Sequence, residues 1–321
     1  MYNDFYNFSD KPFRLTPDKN FIYSSQEHKR ALLYLEYGIS LAEGFVVITG
    51  DIGTGKTTLI KALLNELNEK QHMVATISSS NLDPEELIAM IAASLDLDHE
   101  NRGKVQLLKA FEQYLTKAAR EDRRVLIVVD EAQNLPVESL EELRMLLNIQ
   151  VAESSALQIL LLGQPELLLR INSNNMMQLK QRVVASYHLR PMDRVETENY
   201  ILFRLKRVAK YSLPLISDDT FDVIYKYAGG VPRLINMFCD RLLLYGYLEG
   251  LNAFDKKHAN DVLKEMKQDS IESGSSSVSE EYYPDKIEDN RIVLLEEKVD
   301  KLRRQLQFAY KILVQNVKAK K

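Results

Sequence analysis

A glycine-rich segment at residues 50–57 constrains the fold of this chain more than any other feature. A short β-branched run, FVVIT at residues 45–49, precedes it, and leucines at 59, 63, 64 and 67 follow it at helical spacing. This periodicity predicts a strand, a glycine loop and a helix in that order. Because the first backbone N–H groups of such a helix attract anions, we expect an anion site at this loop.

The spacing Gly50-x-x-x-x-Gly55-Lys56-Thr57 is the complete P-loop signature. In a P-loop the glycines let backbone N–H groups converge on phosphates, the lysine reaches the β and γ oxygens, and the hydroxyl ligates Mg²⁺. A tight glycine turn with an incidental lysine is the simpler alternative. The predicted cofactors are ATP and Mg²⁺, and the predicted nucleotide-binding residues are Gly50, Asp51, Ile52, Gly53, Thr54, Gly55, Lys56, Thr57 and Thr58.

A second motif ends the apolar run of residues 125–129 with Asp130 and Glu131. A run that is apolar at every position predicts a strand covered on both faces of a parallel sheet. At the carboxyl end of that strand Asp130 is expected beside the Mg²⁺ of the P-loop, contacting it through water. Glu131 is expected to polarise the attacking water as a general base, although Asp130 as a simple turn cap remains the alternative. The glutamate favours hydrolysis over nucleotide-dependent binding alone.

Strand-like and helical patterns alternate up to about residue 190, and only helical patterns follow up to residue 264. Alternation of short apolar runs with helices of ten or more residues predicts an α/β fold with a parallel sheet. We therefore predict a nucleotide-binding core with an N-terminal leader at 1–190 and an all-helical lid at 191–266.

The C-terminal part of the sequence predicts a linker and one more helix. Residues 269–290 hold a serine-rich run and seven acidic residues against one lysine, which predicts an acidic flexible linker over 267–290. Apolar residues then recur at alternating spacings of 3 and 4 within 291–317, over about three heptads. This pattern fits a short coiled coil or a partner-binding helix, and it also fits a helix that docks back on the core. Its apolar positions are Ile292, Leu295, Val299, Leu302, Leu306, Ala309 and Leu313.

Composition and charge exclude several classes of protein. The net charge of −4 does not favour bulk electrostatic binding to nucleic acid or anionic membranes. Cys239 is the single cysteine, which excludes an internal disulfide framework, and the five histidines lack metal-ligand spacing. The longest apolar runs are far shorter than the ~20 residues that span a bilayer, and we see no signal peptide. We therefore expect a cytoplasmic protein, at most peripheral to the inner membrane.

Two further polar residues resemble the sensors of AAA+ ATPases in their order along the chain. Gln164 follows the strand-like run at 157–162, where these ATPases place the sensor 1 residue that orients water and reads the γ-phosphate. A glutamine before a proline is also an ordinary loop pair. Arg233 opens a helix after Pro232 in the predicted lid, and it resembles sensor 2, which folds over the γ-phosphate. An exposed arginine at a helix start is the alternative.

An arginine ahead of the next strand-like run resembles an arginine finger. AAA+ proteins project such a residue into the ATP of a neighbouring subunit, where it stabilises transition-state charge. Arg182 is the predicted finger, with Arg170 and Arg190 as alternatives. Arg182 could equally be a solvated or salt-bridged arginine of a helix with no role in catalysis. The resemblance implies an αβα AAA+ core with a parallel sheet and a helical lid, and the heptad pattern adds a C-terminal helix.

Longer segments resemble the ExeA-type ATPases, also called general secretion pathway protein A. The resemblance covers about residues 3–265 and is carried by the leader at 5–23, GFVVITG at 44–50, DEAQNL at 130–135, LEELR at 140–144, GQPEL at 163–167, YHLRPM at 187–192 and GGVPRLIN at 229–236. It implies an AAA+ ATPase that uses ATP to assemble a cell-envelope secretion, exopolysaccharide or pilus-type system. It also implies a homo-oligomer, either ring or filament. Separately from the resemblance, we expect the C-terminal helix to recruit a membrane-associated assembly partner.

The sequence departs from the full-length secretion proteins, which continue into a membrane-spanning segment and a peptidoglycan-binding domain. We therefore expect the exopolysaccharide-locus or pilus-associated type. The leader is expected to lie near the adenine, with Pro12, Phe13 and Tyr23 close by. The alternative is that its aromatic residues only pack against the rest of the protein.

The alternative function is a DNA-associated ATPase of the transposition-regulator or initiator kind. It would contact phosphates through a basic stretch at Arg204, Lys206, Arg207 and Lys210, which is otherwise read as a solvated helix face.

Overall fold

The computed structural model describes residues 2–16, 21, 23–68, 71–78, 81–100, 102–149 and 157–272. Five parallel strands form a sheet in the order β2-β3-β4-β1-β5, which confirms the predicted α/β fold. Since all five strands run in the same direction, their carboxyl ends meet at one edge of the sheet. The strands are β1 (Phe45–Gly50), β2 (His72–Ser78), β3 (Arg124–Asp130), β4 (Leu157–Gly163) and β5 (Val183–Leu189).

Helices cover both faces of this sheet and bury its central strands. Along β1, Phe45 and Val47 join one apolar cluster, whereas Val46 and Ile48 join another, because successive strand residues point to opposite faces. Asp83 caps α4 and Pro84 occupies its first turn, a combination that favours the start of a helix. Helix α1 (Tyr2–Phe5) packs against the later helices instead of the sheet. The helices of this region are α2 (Gln26–Ser40), α3 (Lys56–Glu66), α4 (Pro84–Ser94), α5 (Lys104–Arg120), α6 (Val137–Leu146), α7 (Pro165–Ile171) and α8 (Met177–Lys180).

Within the described residues, four helices follow the sheet and surround a second apolar core. A two-residue parallel pair, β6 (Leu215–Ile216) and β7 (Ala253–Phe254), joins their loops. The helices are α9 (Arg194–Val208), α10 (Asp218–Ala228), α11 (Pro232–Leu248) and α12 (Lys256–Glu272).

The N-terminal leader packs on these helices. The buried side chains of Tyr6, Phe8 and Phe13 belong to the helical core, and the Ser9 N–H donates to the Val208 carbonyl over 2.7 Å. The sequence prediction grouped the leader with the nucleotide-binding core, so this packing differs from the expectation. Aromatic spacing in a leader identifies buried residues but does not select the surface that buries them.

The predicted C-terminal segments lie largely beyond the described residues. Helix α12 continues to Glu272, past the position at which the linker was predicted to begin. The rest of the linker and the heptad helix at 291–317 lie outside the described residues. In the described part of the chain, no helix combines the length and the apolar character needed to cross a membrane.

Candidate nucleotide site

The P-loop connects β1 to α3 at the carboxyl edge of the sheet. Gly53 and Gly55 adopt φ angles of +84° and +100°, which glycine reaches without the steric cost of a Cβ atom. A Cβ on Gly53 would lie 2.6 Å from the Cβ of Arg233, and one on Gly55 would lie 2.9 Å from Nε2 of His28. The glycines therefore permit both the backbone turn and the close approach of two side chains.

Lys56 begins α3 and is buried beneath the loop. Its Nζ donates to the carbonyls of Gly50 and Asp51 over 2.7 and 3.0 Å. Burial lowers the pKa of Lys56, and the carboxylates of Glu131 and Asp130 act in the opposite direction. The ammonium group thus lies in the loop with carbonyl acceptors, in the position from which a P-loop lysine meets phosphate.

Thr57 and Asp130, the two predicted Mg²⁺ ligands, are in direct contact. The Thr57 hydroxyl donates to Oδ2 of Asp130 over 2.8 Å, and Oδ1 accepts from the Glu131 N–H over 2.9 Å. A hydroxyl and a carboxylate fit Mg²⁺, which binds hard oxygen ligands and keeps several waters. Among the described residues, no group of three or more His, Cys, Asp or Glu side chains forms a candidate metal site. At phosphate sites Mg²⁺ is usually held by one or two carboxylates together with phosphate oxygens and water.

Glu131 occupies a left-handed backbone conformation at φ +54°. Such a conformation costs about 1–2 kcal/mol for a residue with a Cβ atom, and residues of this kind cluster at functional sites. Nε2 of Gln133 donates to the Glu131 carboxylate over 2.7 Å. The strained turn and this hydrogen bond together orient the carboxylate at the end of β3.

Gln133 also connects Glu131 to the end of β4. Its Oε1 accepts from the backbone N–H of Gln164 over 3.0 Å, and a Cβ on Gly163 would lie 2.9 Å from the same oxygen. The structure therefore brings the Gln164 backbone into this network, whereas its side chain forms no described cap of α7. Sequence reasoning did not select Gln133, because nothing in the local pattern distinguishes it from other loop residues.

Arg233 faces the P-loop from the first turn of α11. Its backbone N–H donates to the Gly53 carbonyl over 3.3 Å, and its side chain is exposed. A cleft of about 450 Å³ lies between the P-loop and the helical region, and Arg233 lines it together with Lys56, Thr57 and Glu131. The predicted sensor 2 residue and three predicted phosphate-site residues thus share one cleft.

Arg182 lies beside the amino-terminal ends of the strands, at the opposite end of the sheet from the P-loop. The Phe45 N–H at the start of β1 donates to the Arg182 carbonyl over 2.8 Å, whereas the P-loop follows the other end of the strand. The two ends are about 17 Å apart at ~3.3 Å per residue. The exposed Arg182 guanidinium donates to Oδ1 of Asn148 over 2.8 Å. Arg182 is therefore remote from the cleft of its own chain.

The two alternative finger residues lie in different surroundings. Nη1 of Arg170 donates to the carbonyls of Gln133 and Leu135 over 2.6 and 2.9 Å, and so holds the turn that carries Gln133. Arg190 is exposed and directly follows β5 at the carboxyl edge. Arg170 is thus engaged within its own chain.

The position of Arg204 differs from the one predicted for the basic stretch. This residue was expected on a surface, either touching phosphates or solvated, but it is 5% exposed. Its Nε donates to the Pro12 carbonyl over 2.6 Å, its Nη1 donates to the Tyr200 hydroxyl over 2.7 Å, and its guanidinium lies 4.8 Å from the centre of the Phe21 ring. Arg204 therefore fixes the leader to α9 at the wall of the cleft.

Leader residues contribute unequally to the cleft. Arg14, Phe21 and Tyr23 line it, whereas Phe13 is buried in the helical core. The Asn236 side chain donates to the Arg14 carbonyl over 3.3 Å and so links this wall to α11. The leader thus forms one side of the cleft, with the P-loop on the other.

The chain was compared with known proteins. Residues 40–171 match the AAA domain family. General secretion pathway protein A of Aeromonas hydrophila is 36% identical over 251 residues, which are 78% of this chain and 46% of that protein. The chain therefore spans about half the length of the curated relative it matches.

Solved structures share the fold at low identity. The ORC2 protein of Aeropyrum pernix superposes with a TM-score of 0.62 at 16% identity, over 80% of this chain and 72% of that one. Cdc6p from Pyrobaculum aerophilum superposes with a TM-score of 0.63 at 18% identity, over 80% and 71%. These similarities show an α/β AAA+ fold with a following helical region.

Proposed function

We propose, from the premise that this chain is an AAA ATPase related to general secretion pathway protein A, that it hydrolyses Mg²⁺-bound ATP to drive assembly of a cell-envelope secretion, exopolysaccharide or pilus-type system. The observation that carries the hydrolytic part is the Thr57–Asp130 hydrogen bond of 2.8 Å, with Lys56 and Glu131 lining the same cleft. The similarity to the secretion protein supports the cellular role.

In this proposal each polar group of the cleft has a distinct task. The P-loop N–H groups and Lys56 bind the phosphates. Thr57 and Asp130 would hold Mg²⁺, which would neutralise phosphate charge. Glu131 accepts a proton from the attacking water. Arg233 contacts the γ-phosphate from α11, so the phosphate links the core to the helical region.

Gln133 is a positioning residue in this mechanism, and we expect its replacement to slow turnover without weakening binding. In Gln133→Ala the Glu131 carboxylate loses its donor, so kcat should fall about tenfold, as expected for a misplaced catalytic group. ATP affinity should stay within about twofold, because Gln133 does not line the cleft. Steady-state hydrolysis and equilibrium nucleotide binding would measure the two effects, with Gln113→Ala, at an exposed position of α5, as a control. An unchanged kcat would exclude the positioning role.

The placement of Arg182 supports an oligomer in which one chain completes the site of the next. AAA+ proteins often form oligomers, and an arginine finger acting in trans lies far from the cleft of its own chain. Arg182 meets this requirement and is exposed, whereas Arg170 is engaged internally. We therefore infer that the active form is a homo-oligomer with Arg182 at the interface.

A mixing experiment tests this interface. We expect Arg182→Ala to lose hydrolysis by about 100-fold or more while binding ATP normally, since a finger contributes mainly to the transition state. Adding Lys56→Ala protomers should restore part of the activity, because their intact Arg182 enters the intact sites of the first variant. A Lys56→Ala, Arg182→Ala double variant is the matched control and should restore nothing. Equal activity in both mixtures would contradict action in trans.

A DNA-associated ATPase is the second candidate function. Lys206, Arg207 and Lys210 are exposed near the C-terminal end of α9, although Arg204 is not available to DNA. Steady-state hydrolysis with and without double-stranded DNA, over a salt series and a protein-concentration series, separates the candidates. For the envelope role, we expect a rate of ATP hydrolysis that does not depend on DNA and that rises with protein concentration. A DNA stimulation that fades with salt would instead favour the second candidate.

A further inference from the structure

His28 is an additional titratable side chain in the wall of the nucleotide cleft. It lies in the first turn of α2, which Ser25 caps, and it lines the cleft beside Gly53, Gly55 and Lys56. Its Nε2 is the ring atom nearest Gly55, since it would lie 2.9 Å from a Cβ at that glycine. The P-loop lysine, sensor and metal-binding roles do not involve this residue.

The Ser25 hydroxyl contacts both the backbone and the ring of His28. Its oxygen accepts from the His28 backbone N–H over 3.2 Å and lies 2.7 Å from Nδ1. With the hydroxyl hydrogen directed at Nδ1, that nitrogen is the acceptor and the ring proton lies on Nε2. Burial lowers the pKa of His28, so the ring is neutral near pH 7 and carries this single N–H.

Among the described residues, no hydrogen-bond partner of the Nε2–H group is found. A donor that lines a cleft of about 450 Å³ beside the phosphate loop is positioned to meet the ligand of that cleft. The ligand groups that lie against P-loop glycines are anionic phosphates. A neutral imidazole N–H donates to a phosphate oxygen without the desolvation cost of burying another cation beside Lys56.

We propose that His28 is a nucleotide-binding residue whose Nε2–H donates a hydrogen bond to a phosphate oxygen of the bound nucleotide. Ser25 fixes the tautomer, and the glycine at position 55 lets the ring approach the loop. This inference rests on the proposed nucleotide-binding function and adds to it a contact from α2, outside the P-loop signature.

Affinity measurements with ADP test the contact. Calorimetric titration in EDTA keeps metal ions out of the comparison. We expect His28→Ala to bind ADP about tenfold more weakly than the wild type, as for the loss of a hydrogen bond to a charged group. His28→Gln, whose amide N–H can replace Nε2–H, should stay within about threefold of the wild type. His99→Ala is the matched control, because His99 is exposed on the loop after α4.

The histidine ring nitrogens provide a readout that a purely structural role would not move. With ¹⁵N-labelled histidine, the signal that disappears in His28→Gln identifies His28, and in the free protein it should show the proton on Nε2. ADP should shift the Nε2 signal strongly. Adenosine, which has the ribose but no phosphate, should shift it little. An equal shift with adenosine would assign the contact to the nucleoside part of the ligand and overturn the phosphate contact.

The outcomes separate this inference from the proposed function. The inference would be overturned if His28→Ala bound ADP as tightly as the wild type, or if ADP did not shift the Nε2 signal. Nucleotide binding by the protein would still stand in either case. Failure of the wild type to bind any nucleotide would overturn both. Thermal melting checks that the variants fold. If His28→Ala is unfolded, the Nε2 signal of the wild-type protein still tests the phosphate contact.

Discussion

We expect Lys56→Ala to weaken ATP binding by about 100-fold or more, the loss expected when a charge-assisted contact to phosphate is removed from a buried site. The Lys56 ammonium is buried below the P-loop and donates to two backbone carbonyls there. A bound phosphate carries the negative charge that these carbonyls lack, so it is the stronger partner for the ammonium group. Without the lysine, the P-loop N–H groups and the start of α3 are left to bind the phosphates alone.

Thermal unfolding measures this effect without any assumption about turnover. Ligand at 100 times its Kd stabilises the folded state by about 2.7 kcal/mol, so ATP should raise the Tm of the wild type. The same ATP concentration should leave the Tm of Lys56→Ala nearly unchanged. Lys61→Ala is a suitable control, since Lys61 is exposed on the same helix. A normal ATP-induced shift in Lys56→Ala would contradict the P-loop assignment.

The second large effect is expected for Glu131→Gln, which should bind ATP normally and hydrolyse it at least ~100-fold more slowly. The replacement removes the carboxylate that accepts the proton from water but keeps an oxygen that can accept from Gln133. The network through Gln133 to the Gln164 backbone is therefore preserved. Loss of turnover would then reflect the missing base rather than a collapsed site.

Single-turnover hydrolysis and equilibrium binding separate the two properties of this variant. Glu138→Gln is the matched control, because Glu138 is exposed at the start of α6, away from the cleft. We expect that control to retain both affinity and rate. Near-normal turnover in Glu131→Gln would remove this carboxylate from the chemical step.

Local spacing in the sequence was sufficient for the parallel sheet and for the phosphate loop. A P-loop acts through consecutive backbone N–H groups and two adjacent side chains, so its chemistry is contained in residues 50–57. The apolar runs ending at Asp130 and Gly163 likewise predict buried parallel strands, whose carboxyl ends meet at one edge. For this reason Asp130 was expected at the same edge of the sheet as the P-loop, and there its carboxylate accepts a hydrogen bond from Thr57.

Other features depend on how distant elements pack, and periodicity carries no information about them. The burial of Arg204 requires the leader to cross α9, and the role of Gln133 requires the turn after β3 to lie against the end of β4. The remoteness of Arg182 from the cleft follows from the register of β5 on β1.

The sequence by itself determined the α/β class, the phosphate loop and the acidic pair, because each is a local pattern of neighbouring residues. The tertiary structure alone decided that the leader forms a wall of the cleft, that Gln133 orients Glu131, and that His28 faces Gly55. The physical reason is that these contacts join residues far apart in the chain. Their geometry is set by helix and strand packing, which a pattern within one element does not encode.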